Sequence, residues 1–394
     1  MPSDHALLGP SSAHRWLSCT PSARLEEGLP DTGSSYATEG TLAHRLGELL
    51  LRAEYEGADI TEELAEVQAD PQYSTAMMEH IEGYVAFVGE RMADAKSRCA
   101  DPRLYVEQRI DVSEYVPDGF GTTDCVIIAD GLMDVIDLKY GAGIPVSAED
   151  NPQMKIYALG CLLAFSLFYD ITAIRMTIYQ PRLDSVSTAV IDRDKLEAWA
   201  EQFLKPRAAL AYAGEGAFAP GELTCKWCKA GATCKARAEY QLELAAKDFQ
   251  DAALMDNDEI AEVLERLPGL LAWAKQVKDY AEDAAINHSE KFPGFKVVEG
   301  RANRRYVNEG AIARRLKKAG FATADIYKPK ELLGITAMEK LVGAKKLAEL
   351  VGGLIEKPAG SPTLVPVSDK RPELNTAAKA AADFADADVL APAP

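Results

Sequence analysis

The chain has 394 residues, of which 47% are hydrophobic and 26% charged, so it can bury at least one large core and is long enough for two or three domains. A formal net charge of -18 argues against a protein that coats nucleic acid through an evenly basic surface, but it leaves room for an enzyme with a local basic groove. No apolar run reaches the roughly 18 to 20 residues that a bilayer-spanning helix needs, since the best one, Ala158 to Phe168, is short and is followed by Tyr169-Asp170.

Met1-Pro2-Ser3-Asp4-His5 lacks the basic and then apolar layout of a signal peptide, so the expected compartment is the cytoplasm, with no membrane partner. From Ser11 to Leu51 the pattern reads as a short helix, a Gly/Pro/Ser loop over Gly28 to Ser35, and a second helix with Leu42, Leu46, Leu49 and Leu50 at helical spacing. His44 lies on that second helix. A polar, acidic segment follows, and a helix over Met77 to Ala95 leads into sequence of period two.

Three strands are expected at Leu104 to Ile110, Thr122 to Ala129 and Leu132 to Lys139, the last two joined by Asp130-Gly131, a strong two-residue turn signal. Asn151-Pro152 opens an apolar helix over Gln153 to Leu167, a strand follows at Ile174 to Gln180, and another helix covers Asp194 to Gly214. This order predicts an α/β domain with a mixed sheet. A Cys-rich segment, Cys225 to Cys234, precedes a mostly helical, acidic stretch to Ser289. From Lys296 to Lys357 there are 14 Lys/Arg against 7 Asp/Glu, a basic module in an acidic protein. The Pro-, Ala- and Asp-rich tail from Pro358 reads as disordered.

The central hairpin carries the chemistry. With Asp130 and Gly131 at the turn, paired positions sum to 261, which sets Asp124 opposite Asp137 on one face. Two carboxylates at roughly 5 Å repel by about 3 kcal/mol at an effective dielectric of ~20, and a divalent cation between them reverses the sign. Lys139 shares the face of Asp137, where an ammonium can orient a water or stabilise charge developing on a phosphate. Hard carboxylate oxygens suit Mg2+ or Mn2+. The same three residues also suit the solvent side of an ordinary hairpin, and a register slip of one residue would separate the acids.

Gly121-Thr122-Thr123-Asp124, Val135-Ile136-Asp137-Leu138-Lys139-Tyr140-Gly141, the pair Gln153 and Tyr157, and Glu39-Gly40-Thr41-Leu42-Ala43-His44 resemble the successive motifs of the RecB-like branch of the PD-(D/E)XK nucleases, which includes phage-encoded iron-sulfur exonucleases. The four motifs occur in the expected order across most of residues 11 to 240. The resemblance implies a restriction-endonuclease-like core in which His44, Asp124, Asp137 and the Leu138 carbonyl hold the metal. It makes Lys139 the catalytic lysine, with Gln153 and Tyr157 supporting the site and contacting DNA. Taken singly, His44 also reads as an ordinary helix histidine and Tyr157 as amphipathic packing. Glu107 supplies either an additional acid near the metals or a structural ion pair.

Cys225, Cys228 and Cys234 leave a tetrahedral site one thiolate short, and Cys19 is the natural fourth. One distant N-terminal cysteine plus a C-terminal triplet resembles the cluster-binding pattern of the iron-sulfur nucleases and implies a [4Fe-4S] cluster, with Zn2+ as the alternative. Either would close residues 1 to 240 into a nuclease domain, leaving 241 to 357 as a helical, basic extension and 358 to 394 as the tail. Cys99, Cys125 and Cys161 read as small core residues.

The expected function is that of a DNA exonuclease processing ends or single strands in phage recombination or replication, as the resemblance implies. Arg301, Arg304, Arg305, Arg314, Arg315, Lys317 and Lys318 are either a phosphate-binding surface or a solvated helix face. A phage single-strand annealing or replication protein is the partner implied at family level. The alternative reading is a non-cleaving iron-sulfur protein that binds DNA or scaffolds a recombination complex.

Overall fold

In the computed structural model, which describes residues 6–29, 35–141, 143–243, 257–298, 308–319 and 332–355, five strands form one mixed sheet with helices on both faces. The strands β1 (Arg103–Asp111), β2 (Phe120–Ile128), β3 (Gly131–Leu138), β4 (Ile171–Gln180) and β5 (Ser185–Asp192) lie side by side in chain order. Neighbours are antiparallel except β3 and β4, which run parallel because a helix over Pro152–Phe165 carries the chain back across the sheet. This is the α/β architecture with a mixed sheet that the order of strands and helices led us to expect.

Alternation along the strands divides the core. Val126, Ile128, Met133, Val135, Ile174, Met176 and Ile178 pack into one buried cluster, while Cys125, Ile127, Ala129, Ile136 and Leu138 pack into the other. The first cluster is covered by α1 (Ala13–Ser18), α2 (Ser22–Glu26) and the Pro152–Phe165 helix. The second is covered by α3 (Ser35–Glu56), α4 (Thr61–Ala69) and α5 (Thr75–Arg98). The Pro152–Phe165 helix, α6, is buried from Met154 to Leu162 on all sides, which is why it shows no polar stripe. Asn151 caps it, its Oδ1 accepting from the N–H groups of Gln153 (3.0 Å) and Met154 (3.3 Å), with Pro152 at the first helical position.

The helix expected over Asp194 to Gly214 is three pieces: α7 (Arg193–Trp199), a π turn over Ala200–Leu204, and α8 (Lys205–Ala213). Pro206 lacks the N–H that would continue regular helical bonding, and the wider turn just before it accommodates the gap. Next come α9 (Glu222–Cys225), α10 (Lys235–Glu243) and α11 (Asn257–Asn287), the last two joined by the bond from Arg266 Nη2 to the Tyr240 carbonyl at 2.8 Å. The C-terminal region is helical: α12 (Glu309–Lys318), α13 (Ile335–Val342) and α14 (Ala344–Val351), with α13 packed against α5 and the Ala344 N–H on Glu79 Oε2 at 3.2 Å.

Two elements were not expected. The acidic segment after α3 is the helix α4, and β5 extends the sheet to a fifth strand. Arg314, Arg315, Lys317 and Lys318 are exposed on α12, whereas Arg301, Arg304, Arg305 and the tail from Pro358 lie outside the described residues. Among the described residues no helix is long and apolar enough to cross a membrane.

Candidate metal centre

The sheet opens at Asp124. On one side the β2/β3 pairing runs Ile127↔Asp134, Val126↔Val135 and Cys125↔Ile136, so paired numbers sum to 261 as expected, and the next pair in that register is Asp124 with Asp137. There the Leu138 N–H bonds the Asp124 side chain, Oδ2 at 2.6 Å, in place of a backbone carbonyl. On the other side the β1/β2 ladder runs Val106↔Cys125 and Gln108↔Thr123 and skips Glu107, which stands across from Asp124. Glu107 has φ +48°, a left-handed conformation that a mid-strand glutamate adopts only under constraint. The turn that starts the hairpin needs Gly131, whose φ is +80°.

Three elements bring their side chains to this opening. From α3, His44 Nδ1 lies 3.1 Å from Asp124 Oδ1. One ligand atom each from His44, Glu107 and Asp124 falls within 4.8 Å of the other two. From the end of β3, Asp137 is 2% exposed, its Oδ2 lies 2.9 Å from the Lys139 ammonium, and that oxygen accepts no hydrogen bond of good geometry. From the first turn of α6, Gln153 Nε2 donates to Asp137 Oδ1 (3.1 Å) and to the Tyr157 hydroxyl (3.2 Å), the two residues sharing a helical face four positions apart. Gly121 is required here, because a Cβ on it would meet Pro10 Cγ at 2.9 Å and Tyr157 Cε1 at 3.2 Å.

The charges are mutually dependent. Burial opposes a charge on His44, yet Asp124 and Asp137 outweigh both burial and the Lys139 ammonium and hold the imidazole at about 9. Burial disfavours the Asp124 carboxylate too, but His44, Lys139 and the Leu138 N–H keep it below the usual range. Asp137 is raised, by burial and by the charge on Asp124, against the pull of Lys139. Lys139 resists its own burial because Asp137 and Asp124 face it, and it stays above the ordinary lysine value. Glu107 is pushed up to about 7 by burial and by Asp124. A carboxylate-rich, half-buried pocket with one imidazole and an unsatisfied carboxylate oxygen fits a hard divalent cation. In this geometry His44, Glu107 and Asp124 would hold it, while Asp137, expected from the sequence as a ligand, lies outside that grouping with its Oδ2 2.9 Å from the Lys139 ammonium.

Tyr84 was missed. Its hydroxyl is buried without a hydrogen-bond partner, and its acidity is suppressed by burial and by the charges of Cys125, Asp124, Asp137 and Glu107. On α5 it takes its place in the apolar spacing of Ile81 and Val88, so its sequence signal is that of core packing. A second cluster was also missed: the Arg182 guanidinium sits 5.2 Å from the Tyr140 ring centre and pairs with Glu39 at 2.8 Å, while His80 Nδ1 is 3.1 Å from the Tyr140 hydroxyl.

The four singled-out cysteines form no disulfide. Cys19 is buried, and burial raises its thiol's pKa, with Cys225 and Cys234 close enough to add to the effect. Burial likewise pushes the Cys228 thiol up to about 12, with Glu26 and Cys225 contributing. The N-terminal segment is tied to this loop by the Arg15–Glu26 pair (2.7 Å), by Arg15 Nη1 on the Trp227 carbonyl (3.0 Å) and by the Lys229 N–H on Glu26. Cys99, Cys125 and Cys161 are buried in the core, away from any such grouping.

A family model described as "Protein of unknown function (DUF2800)" matches residues 5–372. The chain belongs to the DUF2800 family. A solved structure titled "Crystal structure of SSO0001" is similar at 18% identity over 55% of this DUF2800 chain and 95% of that chain, with a TM-score of 0.25, too loose a superposition to bear on the site.

Proposed function

We propose that this protein is a metal-dependent deoxyribonuclease of the PD-(D/E)XK type. The observation that carries the reading is the opening of the sheet at Asp124, where the Asp124/Asp137 register, Lys139 two residues on, and His44 from α3 converge. A divalent cation, Mg2+ or Mn2+, would supply Lewis-acid polarisation of a phosphodiester and stabilise its developing charge. The protein's own residues do the rest. Lys139, held as an ammonium by the carboxylates around it, orients a water and donates to the phosphate. Gln153 fixes the rotamer of Asp137 through its 3.1 Å bond. Tyr157 accepts from Gln153 and keeps its own O–H to donate.

DNA ends and single strands are the proposed substrates, and a phage annealing or replication protein the proposed partner, on the resemblance alone. For the cysteines, a [4Fe-4S] cluster is favoured over Zn2+ on the resemblance.

The test is degradation of end-labelled single- and double-stranded DNA by anaerobically purified protein with Mg2+ or Mn2+, beside Asp137→Ala and Lys139→Ala. Cleavage lost in both variants is the expected result. A folded, cation-supplied wild type that leaves every DNA form intact would overturn the reading.

A further inference from the structure

One of the exposed aromatic side chains sits in the cysteine loop. Trp227, between two of the cluster cysteines, is 69% exposed, and the Lys226 ammonium lies 5.4 Å from its ring centre. The flanking Leu223 is 75% exposed. From Glu222 to Lys235 there are three lysines, Lys226, Lys229 and Lys235, all exposed, against one acid, Glu222, in a protein whose net charge is -18. An indole held open among ammonium groups complements a polyanion that also offers flat π-faces, which describes single-stranded nucleic acid and not a duplex, whose bases are stacked inward.

The loop is also joined to the metal centre. Arg15 on α1 donates to the Trp227 carbonyl, and the same segment begins at Pro10, which closes against Gly121 and Tyr157. Pro10 and Arg15 are five residues apart, which is roughly 8 Å of helical rise, so one short segment touches both the metal centre and the loop. We propose that the loop carrying Lys226, Trp227 and Lys229 is a strand-holding subsite in which Trp227 stacks on a base of single-stranded DNA upstream or downstream of the bond at Asp137. The loop then has a second task, presenting an aromatic platform to the strand. This rests on the nuclease reading above.

The test measures binding alone, by fluorescence anisotropy of a labelled oligo-dT strand and of a duplex, with full-length cluster-loaded protein and no divalent cation. Trp227→Ala is expected to weaken oligo-dT binding by about 5- to 100-fold and to leave duplex binding little changed. Trp227→Phe keeps a π-face and should retain most of the affinity, whereas Trp227→Leu keeps apolar bulk without one and should not. If the leucine and phenylalanine variants bind oligo-dT equally, or Trp227→Ala binds as wild type does, stacking at this loop is refuted while the nuclease reading stands. A wild type that binds no oligo-dT under these conditions refutes the subsite, while the nuclease reading is decided by the cation-supplied cleavage assay above.

Discussion

At the residue scale, His44 and Glu107 would report on the proposed cation directly. With His44 raised to about 9, its imidazole is charged at neutral pH and contributes stability in the cation-free protein; that contribution is whole below about pH 6.5 and is lost as pH rises to about 9. A metal ligand must be neutral imidazole, so cation binding displaces this proton and Mn2+ affinity should fall as pH drops from 9 toward 7. Calorimetry in two buffers of different ionisation enthalpy should show close to one proton released from His44 at pH 7 and about half of one from Glu107, whose pKa is about 7. No release at pH 7 would refute the charge state assigned to His44. Glu107 offers an opposed pair of outcomes. Relieving its left-handed strain with glycine gains roughly 1–3 kcal/mol, offset by ~0.5–1 kcal/mol of added chain freedom. Glu107→Gly should therefore stabilise the cation-free protein by about 1 kcal/mol in urea unfolding and weaken Mn2+ binding. A glycine variant that is less stable would mean the strain is not stored there.

At the scale of elements, the two acids at the middle and the end of β3 behave in opposite ways. Asp137 sits at the open end, while Asp134, with no exposed surface, is gripped by Arg175 on β4 through Nε and Nη2, and Arg175 also holds Asp94 on α5 at 2.6 Å. Removing Arg175 leaves the buried carboxylate only the longer Arg98 pair at 3.9 Å, so Arg175→Ala should cost about 3–5 kcal/mol, and the apolar pair Asp134→Leu with Arg175→Met should recover most of it, as read by denaturant midpoints. If the double variant is no better than the single one, packing and not charge explains the loss. The strongly patterned elements were legible: the 261 register follows from the Asp130-Gly131 turn, and α6 from its cap and unbroken apolar run. β5 was illegible because its pattern is inverted. It is an edge strand whose large apolar residues Val186 and Val190 are 48% and 61% exposed, while Ser187 and Ala189 face inward. In α4, Leu64 and Val67 alone mark the buried side against Glu62, Glu63 and Glu66. In the site, the acids and Lys139 follow from period-two spacing, but the break at Glu107 depends on backbone conformation that no residue type announces.

At the scale of the whole molecule, the proposed cysteine site would add to what already holds the N-terminal segment. Trp16 and Leu17 enter the core beside α6, and Arg207 Nε and Nη2 hold the carbonyls of Leu17 (2.7 Å) and Ser18 (2.9 Å), so this segment has anchors of its own. The Thr20 hydroxyl adds a bond to the Glu215 carbonyl at 2.6 Å, and Arg24 Nε one to the Tyr212 carbonyl at 2.6 Å. The proposed metal joining Cys19 to Cys225, Cys228 and Cys234 would bind the folded chain and not the unfolded one, and its affinity would add to stability. Its loss should therefore lower the unfolding temperature by several degrees and open the N-terminal segment to protease, with the sheet intact. Cys228→Ser should lose the bound metal and show both effects, whereas Cys161→Ala, in the packed middle of α6, should lower stability through a cavity with metal content unchanged. Iron with matching acid-labile sulfide in the wild type would assign the cluster, and zinc without sulfide the single ion. A wild type that holds neither, and unfolds at the temperature of Cys228→Ser, would leave the N-terminal segment held by Arg15, Thr20, Arg24 and Arg207 alone.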